Sequence, residues 1–398
     1  MKNNIMYLNS LTPLRGIAAV LVFFHHFNSF LGQLLPTGNY LVTKWYLMVD
    51  FFFLLSGFIM YHVYGNTFKN NIKKKDIIEF IKARFARLYP LHFFMLSFSI
   101  GIFALLKFKI AASDIPPILN LLFDPNTIIS NLFLVQAWGM HLEASYNVPS
   151  WSISAEWFLY LIFPFLLFFM NKYKKTAKWL IAVFAIAGLC SIMYHFQPMD
   201  WLLRNEYLNI PDTNVPKNSI NVITGIALLR GLCSFSVGMV LYEIFRTKWM
   251  IKYLSKSYVS FAIWSFLLIV WIGDWLPDVL AIPFFCILLL NAVYSQGVLK
   301  RLLNNRVFNY LGEISYSIYM IHVPLMFLLY MITLMLGIEG ESAHESTNFL
   351  DNFIASIIGL LVVIGLASLT YYFIEKPLRK YLNEKIIRKE KYYKPIRN

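Results

Sequence analysis

Long apolar runs separated by short polar segments make up most of the 398-residue chain. A run of about 17 to 25 apolar residues is long enough, as an α-helix, to cross a bilayer core of roughly 30 Å. The pattern therefore predicts an all-α polytopic membrane protein with ten transmembrane helices. The predicted spans lie at about 11–31, 42–64, 90–107, 149–170, 179–197, 219–245, 257–275, 278–295, 311–337 and 351–374.

Positive charge is distributed unevenly between the two sides of this topology. Of the 35 Lys and Arg residues, 28 lie in segments on the side of the amino terminus and only 5 on the opposite side. Because basic residues accumulate in cytoplasmic loops, both termini are expected in the cytoplasm. The net charge of +14 is thus spread over short loops beside the lipid headgroups, which argues against a nucleic-acid-binding face.

The composition limits what else the chain can contain. Apolar residues make up 58% of the sequence and charged residues 14%, and the mean hydropathy is +0.58. No hydrophilic stretch is long enough to form its own core, so we expect a single membrane domain over residues 1–398 with no appended soluble domain. The apolar segment 127–140 is too short to span and is expected to form a re-entrant or surface helix on the outer face.

Ionisable residues inside the first span are the first candidates for function, because a bilayer does not solvate them. Arg15 and His26 stand 11 residues apart, which is within about 20° of three full helical turns, so they share one helix face. His25 points about 80° away from Arg15 and is the poorer candidate. The alternative is that Arg15 reaches the headgroups and the histidines only bond a neighbouring helix.

The second span carries Asp50 in its outer half. At 1.5 Å per residue, Asp50 lies roughly 12 Å and His26 roughly 8 Å below the outer edge, so the two can meet and the carboxylate can orient the imidazole. The alternative is a buried structural ion pair. Ser56 and Gly57 further along the span predict a close contact between helices.

The fourth span carries Glu156 at a similar level, roughly 10 Å deep, as a third candidate near the same site. The alternative is that Glu156 is the structural partner of Arg230 in the sixth span. Trp151, at the start of the fourth span, belongs either to this group or to the aromatic belt at the membrane interface.

Two further groups lie nearer the cytoplasmic face. Arg84 and Arg87 are one helical turn apart before the third span, where paired guanidiniums suit a phosphate or diphosphate, or else lipid headgroups. Ser315, Tyr319 and His322 share a stripe of the ninth span and either line a route for the ligand or bond neighbouring helices. No H-E-x-x-H motif, cysteine pair or Asp-rich spacing occurs, so no metal is expected.

Six motifs in order resemble the acyltransferase-three family of membrane acyltransferases along nearly the whole chain. They are R-x10-H in the first span, V-D-F-F-F-L-L-S-G-F in the second, R-x-x-R-L-Y-P before the third, P-S-W-S-I-S-A-E in the fourth, L-G-E-I-S-Y-S-I-Y-M-I-H-V-P in the ninth and Y-Y-F-I-E-K-P-L-R at the end. The resemblance implies transfer of an acyl group, most often acetyl, from cytoplasmic acyl-CoA to a hydroxyl of an extracytoplasmic or lipid-linked carbohydrate.

The resemblance also implies roles for particular residues. It marks His26 as the catalytic histidine, acting as a general base or as a nucleophile that carries the acyl group, and Arg15 as its motif partner. The other residues that it marks at motif positions are Asp50, Arg84, Arg87, Glu156, Ser315, Tyr316, His322 and Glu375. Trp151 and Ser152 are further candidates among the intramembrane residues. The family more often has a second Glu after the fourth-span Glu, where this chain has Trp157.

Many members of the family continue into a soluble esterase domain. Here the membrane domain itself, or a partner protein, is expected to make the final transfer to the acceptor. Acyl-CoA is expected as a donor substrate, with no permanently bound cofactor, in a bacterial cytoplasmic membrane. The alternative function is a transporter or flippase of a lipid-linked sugar, which would use the buried charges as a substrate path.

Overall fold

The computed structural model of the protein describes residues 8, 10–36, 39–68, 72–141, 144–195, 218–295, 298–336 and 348–391, with the side chains of all of these except 174–177 and 385–391. Within these residues the regular structure is helical and no strand occurs. The α-helices are α1 (Leu11–Phe30), α2 (Met48–Tyr64), α3 (Lys74–Lys109), α4 (Pro117–Leu122), α5 (Ile128–Leu132), α6 (Ser150–Lys172), α7 (Lys174–His195), α8 (Ala227–Thr247), α9 (Ile251–Leu254), α10 (Ser257–Ile272), α11 (Ala281–Tyr294), α12 (Val298–Leu303), α13 (Arg306–Glu313), α14 (Ser315–Met335), α15 (Phe349–Thr370) and α16 (Lys376–Lys391).

Seven helices in the described part of the chain are long and apolar enough to cross a membrane. Two shorter apolar helices, Ser257–Ile272 and Asp278–Tyr294, coincide with the seventh and eighth predicted spans. The first predicted span coincides with α1, which carries Arg15 and both histidines. The protein is therefore an all-helical, multi-pass membrane protein, while the number of ten crossings and the cytoplasmic termini remain predictions.

The helix that contains the third predicted span begins well before that span. Helix α3 starts at Lys74 and runs for 36 residues, roughly 54 Å, which is longer than the bilayer core is thick. The predicted span starts at residue 90, and Pro90 lies inside this helix. In a membrane bundle, proline is tolerated inside a helix, so Arg84 and Arg87 lie within α3 instead of before it.

Three other predicted boundaries also differ from the structure. The sixth span was expected from residue 219, but α8 begins at Ala227, and the apolar residues 219–226 form an irregular segment. The ninth span was expected from residue 311, but a break at Ile314 separates α13 from α14. The helix that carries the tenth predicted span continues past residue 374, because a π-helical turn over Tyr371–Glu375 connects α15 to α16. Hydropathy alone does not distinguish a helix from an apolar chain of another conformation.

The segment 127–140 contains only a short helix, α5, followed by turns. Leu134 has a left-handed backbone with φ of 58°, which ends the helical pattern. A side chain of α6 forms hydrogen bonds with this irregular backbone. Ser154 Oγ donates to the Leu134 carbonyl oxygen at 2.8 Å and accepts from the Ala137 amide at 3.2 Å. The expectation of one helix over the whole segment is wrong, since polar partners on α6 satisfy a non-helical chain there.

Helices α2 and α8 approach each other through two glycines. A Cβ atom on Gly57 would overlap the carbonyl oxygen of Phe235, and one on Gly238 would overlap that of Leu54. Small residues allow helix backbones to come this close in a membrane, where packing and hydrogen bonds drive helix association. The close contact predicted from Ser56 and Gly57 is confirmed.

We expect Gly238→Leu to destabilise the fold by about 1–3 kcal/mol or more, because overpacking forces the two helices apart. Thermal unfolding in detergent measures the effect. The matched control is Gly365→Leu in α15, where a Cβ atom meets nothing within 4 Å. Equal melting temperatures for the two variants would contradict close packing between α2 and α8.

Candidate active site

A polar cavity of about 190 Å³ lies among α1, α2, α3, α6 and α14. Arg15, Arg84 and Arg87 line this arginine cavity together with the carboxylate of Glu156. Neither Arg15 nor Arg87 makes a hydrogen bond or ion pair with a residue that the structure describes, although the carboxylates of Glu375, outside the cavity, and Glu156 are close enough to act electrostatically on both. The cavity therefore contains more positive than negative charge.

Arg84 is held by aromatic rings instead of a carboxylate. Its guanidinium lies 5.5 Å from the ring centre of Tyr64, 5.9 Å from Phe80 and 5.8 Å from Tyr160, and it donates to the Tyr64 hydroxyl at 3.1 Å. Ring faces attract a cation without neutralising it. Arg84 is thus fixed in place while its charge remains available to an anion.

Glu156 contacts two hydroxyl groups in the arginine cavity. Its carboxylate accepts from Ser56 at 3.0 Å and from Tyr160 at 2.5 Å. The alternative that Glu156 is the partner of Arg230 is wrong, because Arg230 pairs with another residue. Tyr160, one turn along α6, was missed from the sequence because a tyrosine in an aromatic run gives no signal of its own.

A second, smaller cavity of about 40 Å³ lies next to the first. It is named the histidine cavity here, because His25 and His26 of α1 line it. Val49 and Tyr319 line both cavities and form the wall between them. The other lining residues are Val22, Ser29, Phe30, Tyr46, Val148, Trp151, Asn221 and Ile223.

His26 is bonded to another histidine. Its Nδ1 lies 3.0 Å from the Val22 carbonyl oxygen and 3.1 Å from Nε2 of His322, and its ring stacks on Phe30. The expectation that Asp50 or Glu156 orients His26 is wrong for this structure, because neither carboxylate bonds it. Equal depth in the membrane does not make two side chains face each other around their helix axes.

Asp50 forms a bidentate ion pair with Arg230. Arg230 Nη2 donates at 2.7 Å and Nε at 3.1 and 3.2 Å, and both side chains are fully buried. Ser234 also donates to Asp50, and Arg230 Nη1 donates to Asn221 Oδ1 at 2.9 Å. Asp50 therefore belongs to a buried structural ion pair, which was the alternative to a role beside His26.

Two aromatic rings cover the Arg230 guanidinium. Trp151 lies 5.2 Å and Tyr46 5.6 Å away, measured to the ring centres. Trp151 is thus part of the buried cluster as well as of the wall of the histidine cavity. His25 packs edge-on against Tyr46 and is 5% exposed.

The polar stripe of the ninth span is divided between the two sites. Ser315, Tyr316 and Tyr319 line the arginine cavity, whereas His322 does not and instead bonds His26. Tyr316 donates to the Leu88 carbonyl oxygen at 2.6 Å. The Tyr319 hydroxyl lies 2.7 Å from Ser152 Oγ, which fixes the ring that separates the cavities.

Two other charged groups lie outside both cavities. Glu375 is 2% exposed, accepts from Ser317 at 2.8 Å and lies 3.6 Å from Arg379. Lys44 is 1% exposed and pairs with Asp278 at 2.5 Å. Among the described residues, no three His, Cys, Asp or Glu side chains are grouped so that they could hold a metal ion.

Comparison with known proteins identifies the family. The sequence profile of an acyltransferase domain, that of the acyltransferase-three family, matches residues 8–372. The chain belongs to this family. The protein is therefore an enzyme that transfers acyl groups. The match argues against the alternative of a transporter, which would also have explained the buried charges.

The curated relatives of this acyltransferase include proteins of different length. Acyltransferase MdmB of Streptomyces mycarofaciens is 27% identical over 97% of this chain and 95% of its own length. Peptidoglycan O-acetyltransferase OatA of Listeria monocytogenes is 23% identical over 94% of this chain but only 56% of its own length. Protein 2 in the picA locus of Rhizobium radiobacter is 32% identical over 37% of this chain and 75% of its own. No solved structure matches the chain.

We expect Asp50→Ala to destabilise the acyltransferase by about 3–5 kcal/mol, because it leaves the Arg230 charge buried without its partner. The double variant Asp50→Leu with Arg230→Met should recover much of that loss, since apolar replacement of a whole buried pair is often neutral. Melting temperature in detergent is the readout. An Asp50→Ala protein of unchanged stability that no longer transfers acyl groups would instead make Asp50 part of the chemistry.

Proposed function

We propose that the protein transfers an acetyl group from cytoplasmic acyl-CoA to a hydroxyl of an extracytoplasmic or lipid-linked carbohydrate, in a bacterial cytoplasmic membrane. The observation that carries the proposal is the contact of two unlike cavities at Val49 and Tyr319. One has the charges to hold a phosphorylated donor, and the other has a histidine that can act on a hydroxyl. Acyl-CoA acts as a substrate in this proposal, and no resident cofactor takes part.

The arginine cavity supports the choice of donor. Coenzyme A carries a diphosphate and a further phosphate, and guanidinium groups bind such oxygens with two parallel hydrogen bonds. Arg15 on α1 and Arg84 and Arg87 on α3 line this cavity together. The phosphates would bind there, and the pantetheine arm would extend past Ser152 and Tyr319 towards His26.

His26 supplies the general base. A neutral imidazole nitrogen of His26 takes the proton of the acceptor hydroxyl while the hydroxyl oxygen attacks the thioester carbonyl carbon. The new C–O ester bond forms and the C–S bond breaks as the tetrahedral intermediate collapses. The proton on His26 then passes to the leaving sulfur, so that the products are the ester and coenzyme A as its thiol.

The histidine cavity, at about 40 Å³, has room for the hydroxyl of a carbohydrate acceptor but not for a whole sugar ring. Phe30, Tyr46 and Trp151 give it aromatic walls, and Ser29 adds a hydroxyl. Ligand sites typically combine such apolar and aromatic walls with a few polar groups that set orientation. The same class of acceptor is the one named for OatA, a peptidoglycan O-acetyltransferase.

We expect His26→Ala to lower the rate of acetyl transfer by about 10²- to 10⁴-fold, the usual contribution of a general base. Transfer from radiolabelled acetyl-CoA, in detergent or nanodiscs, measures this rate. Affinity for acetyl-CoA should stay near that of the wild type, because His26 is not in the arginine cavity. The control is His62→Ala, which lines neither cavity, and transfer at an undiminished rate by folded His26→Ala would refute the proposal.

We expect Arg15→Gln, Arg84→Gln and Arg87→Gln each to weaken acetyl-CoA binding by about 10- to 100-fold, the value of one charge-assisted hydrogen bond. Lys82→Gln is the matched control, because Lys82 lies on the same helix but is exposed and outside the cavity. S-acetylpantetheine, which lacks the phosphates, should be bound equally by the wild type and the arginine variants. Unchanged acetyl-CoA affinity in all three variants would remove the phosphates from this cavity.

A further inference from the structure

His26 and His322 contact each other through ring nitrogens. Each ring also has a nitrogen that faces a backbone carbonyl oxygen, and these contacts determine which nitrogen carries the proton. His322 Nδ1 is 3.2 Å from the carbonyl oxygen of Ile318, and His322 Nε2 is 3.1 Å from His26 Nδ1. His26 Nδ1 is also 3.0 Å from the carbonyl oxygen of Val22. His322 is completely buried in the bundle.

A carbonyl oxygen can only accept a hydrogen bond, so the nitrogen facing it must carry the proton. His322 therefore donates from Nδ1 to Ile318, and as a neutral imidazole it has a lone pair on Nε2. His26 Nδ1 then faces two acceptors, the Val22 carbonyl oxygen and His322 Nε2, so it too must be protonated. The opposite arrangement would place lone pairs against both carbonyl oxygens.

We propose that His322 is a positioning residue, which shares the Nδ1 proton of His26 with the Val22 carbonyl oxygen and so helps to hold the ring with its basic lone pair on Nε2. The inference deepens the proposed function and rests on it, because it assigns the group that orients the general base. In many enzymes a carboxylate does this for histidine, as in the Ser-His-Asp triad. Here Asp50 and Glu156 are bonded to other residues, and a second histidine occupies the place of the carboxylate.

The arrangement has a direct effect on the reaction. When His26 Nε2 takes the hydroxyl proton, the positive charge that forms is shared with the Nδ1–H group, whose hydrogen bond to His322 then becomes charge-assisted and stronger. The bond is therefore stronger in the protonated intermediate than in the resting enzyme. An interaction of this kind raises kcat instead of tightening the binding of the donor.

Two substitutions of His322 separate this role from a merely structural one. His322→Leu removes the acceptor and should lower kcat by about 10- to 100-fold, part of the contribution of a general base, with KM for acetyl-CoA unchanged. His322→Gln places an amide oxygen within reach of His26 Nδ1 and should restore most of the rate. A wild-type kcat in His322→Leu, or equal loss in both variants, would overturn the proposal.

Nitrogen-15 NMR of the wild type tests the proton positions without any variant at His322. With ¹⁵N-labelled histidine, both ring systems should show a protonated Nδ1 and an unprotonated Nε2, and signals lost in His26→Gln and His322→Gln give the assignment. A proton on Nε2 of either histidine in the resting enzyme would overturn the proposal even if His322→Leu fails to fold.

The control for the loss of a buried histidine is His92→Leu. His92 is 2% exposed, bonds the Asn131 carbonyl oxygen at 2.8 Å and lies in neither cavity. Folded His92→Leu should keep the wild-type kcat, and a loss equal to that of His322→Leu would assign the effect to general destabilisation.

The outcomes for the reaction and for His322 are separable. If the wild type transfers acetyl and His26→Ala does not, while His322→Leu is unaffected, the proposed function stands and this inference fails. If the wild type transfers no acyl group from acyl-CoA, the proposed function fails, and the NMR measurement still decides whether the histidine pair has the proton positions given above.

Discussion

The bidentate ion pair between Asp50 and Arg230 is the interaction on which the arrangement of both cavities depends. Two charges removed from water are tolerable only when they meet with good geometry, so the pair fixes α2 against α8 at one level and one rotation. Val49, next to Asp50, is thereby placed in the wall between the cavities. Arg230 also binds Asn221 and the ring of Trp151, and both residues line the histidine cavity.

The long helices of the bundle were predictable from the sequence, because hydropathy identifies the segments that are buried in the membrane. Hydropathy does not predict the conformation of a segment whose backbone is held by polar side chains. Residues 219–226 are as apolar as a span, but the Arg230 guanidinium bonds their backbone in a non-helical form. The segment after α5 is likewise held by Ser154. Long-range partners of this kind have no periodicity that can be recognised along the chain.

The candidate site was predictable as a set of residues but not as a set of pairs. The eleven-residue spacing of Arg15 and His26 puts them on one face of α1, and the structure places them in adjoining cavities. Depth along the helix axis suggested Asp50 as the partner of His26. The direction in which each side chain leaves its helix instead pairs Asp50 with Arg230 and His26 with His322. Rotation depends on the packing of all neighbouring helices, which one sequence does not reveal.

The aromatic enclosure of Arg84 has a consequence for the energetics of the empty protein. Because Tyr64, Phe80 and Tyr160 hold the guanidinium without cancelling its charge, like charges repel across an unfilled arginine cavity. Any polyanion that fills it relieves this repulsion and binds the folded state alone, so occupancy and folding are thermodynamically linked. Under the proposed function, this arrangement exchanges intrinsic stability for affinity, a trade that is common where a site is preorganised before its ligand arrives.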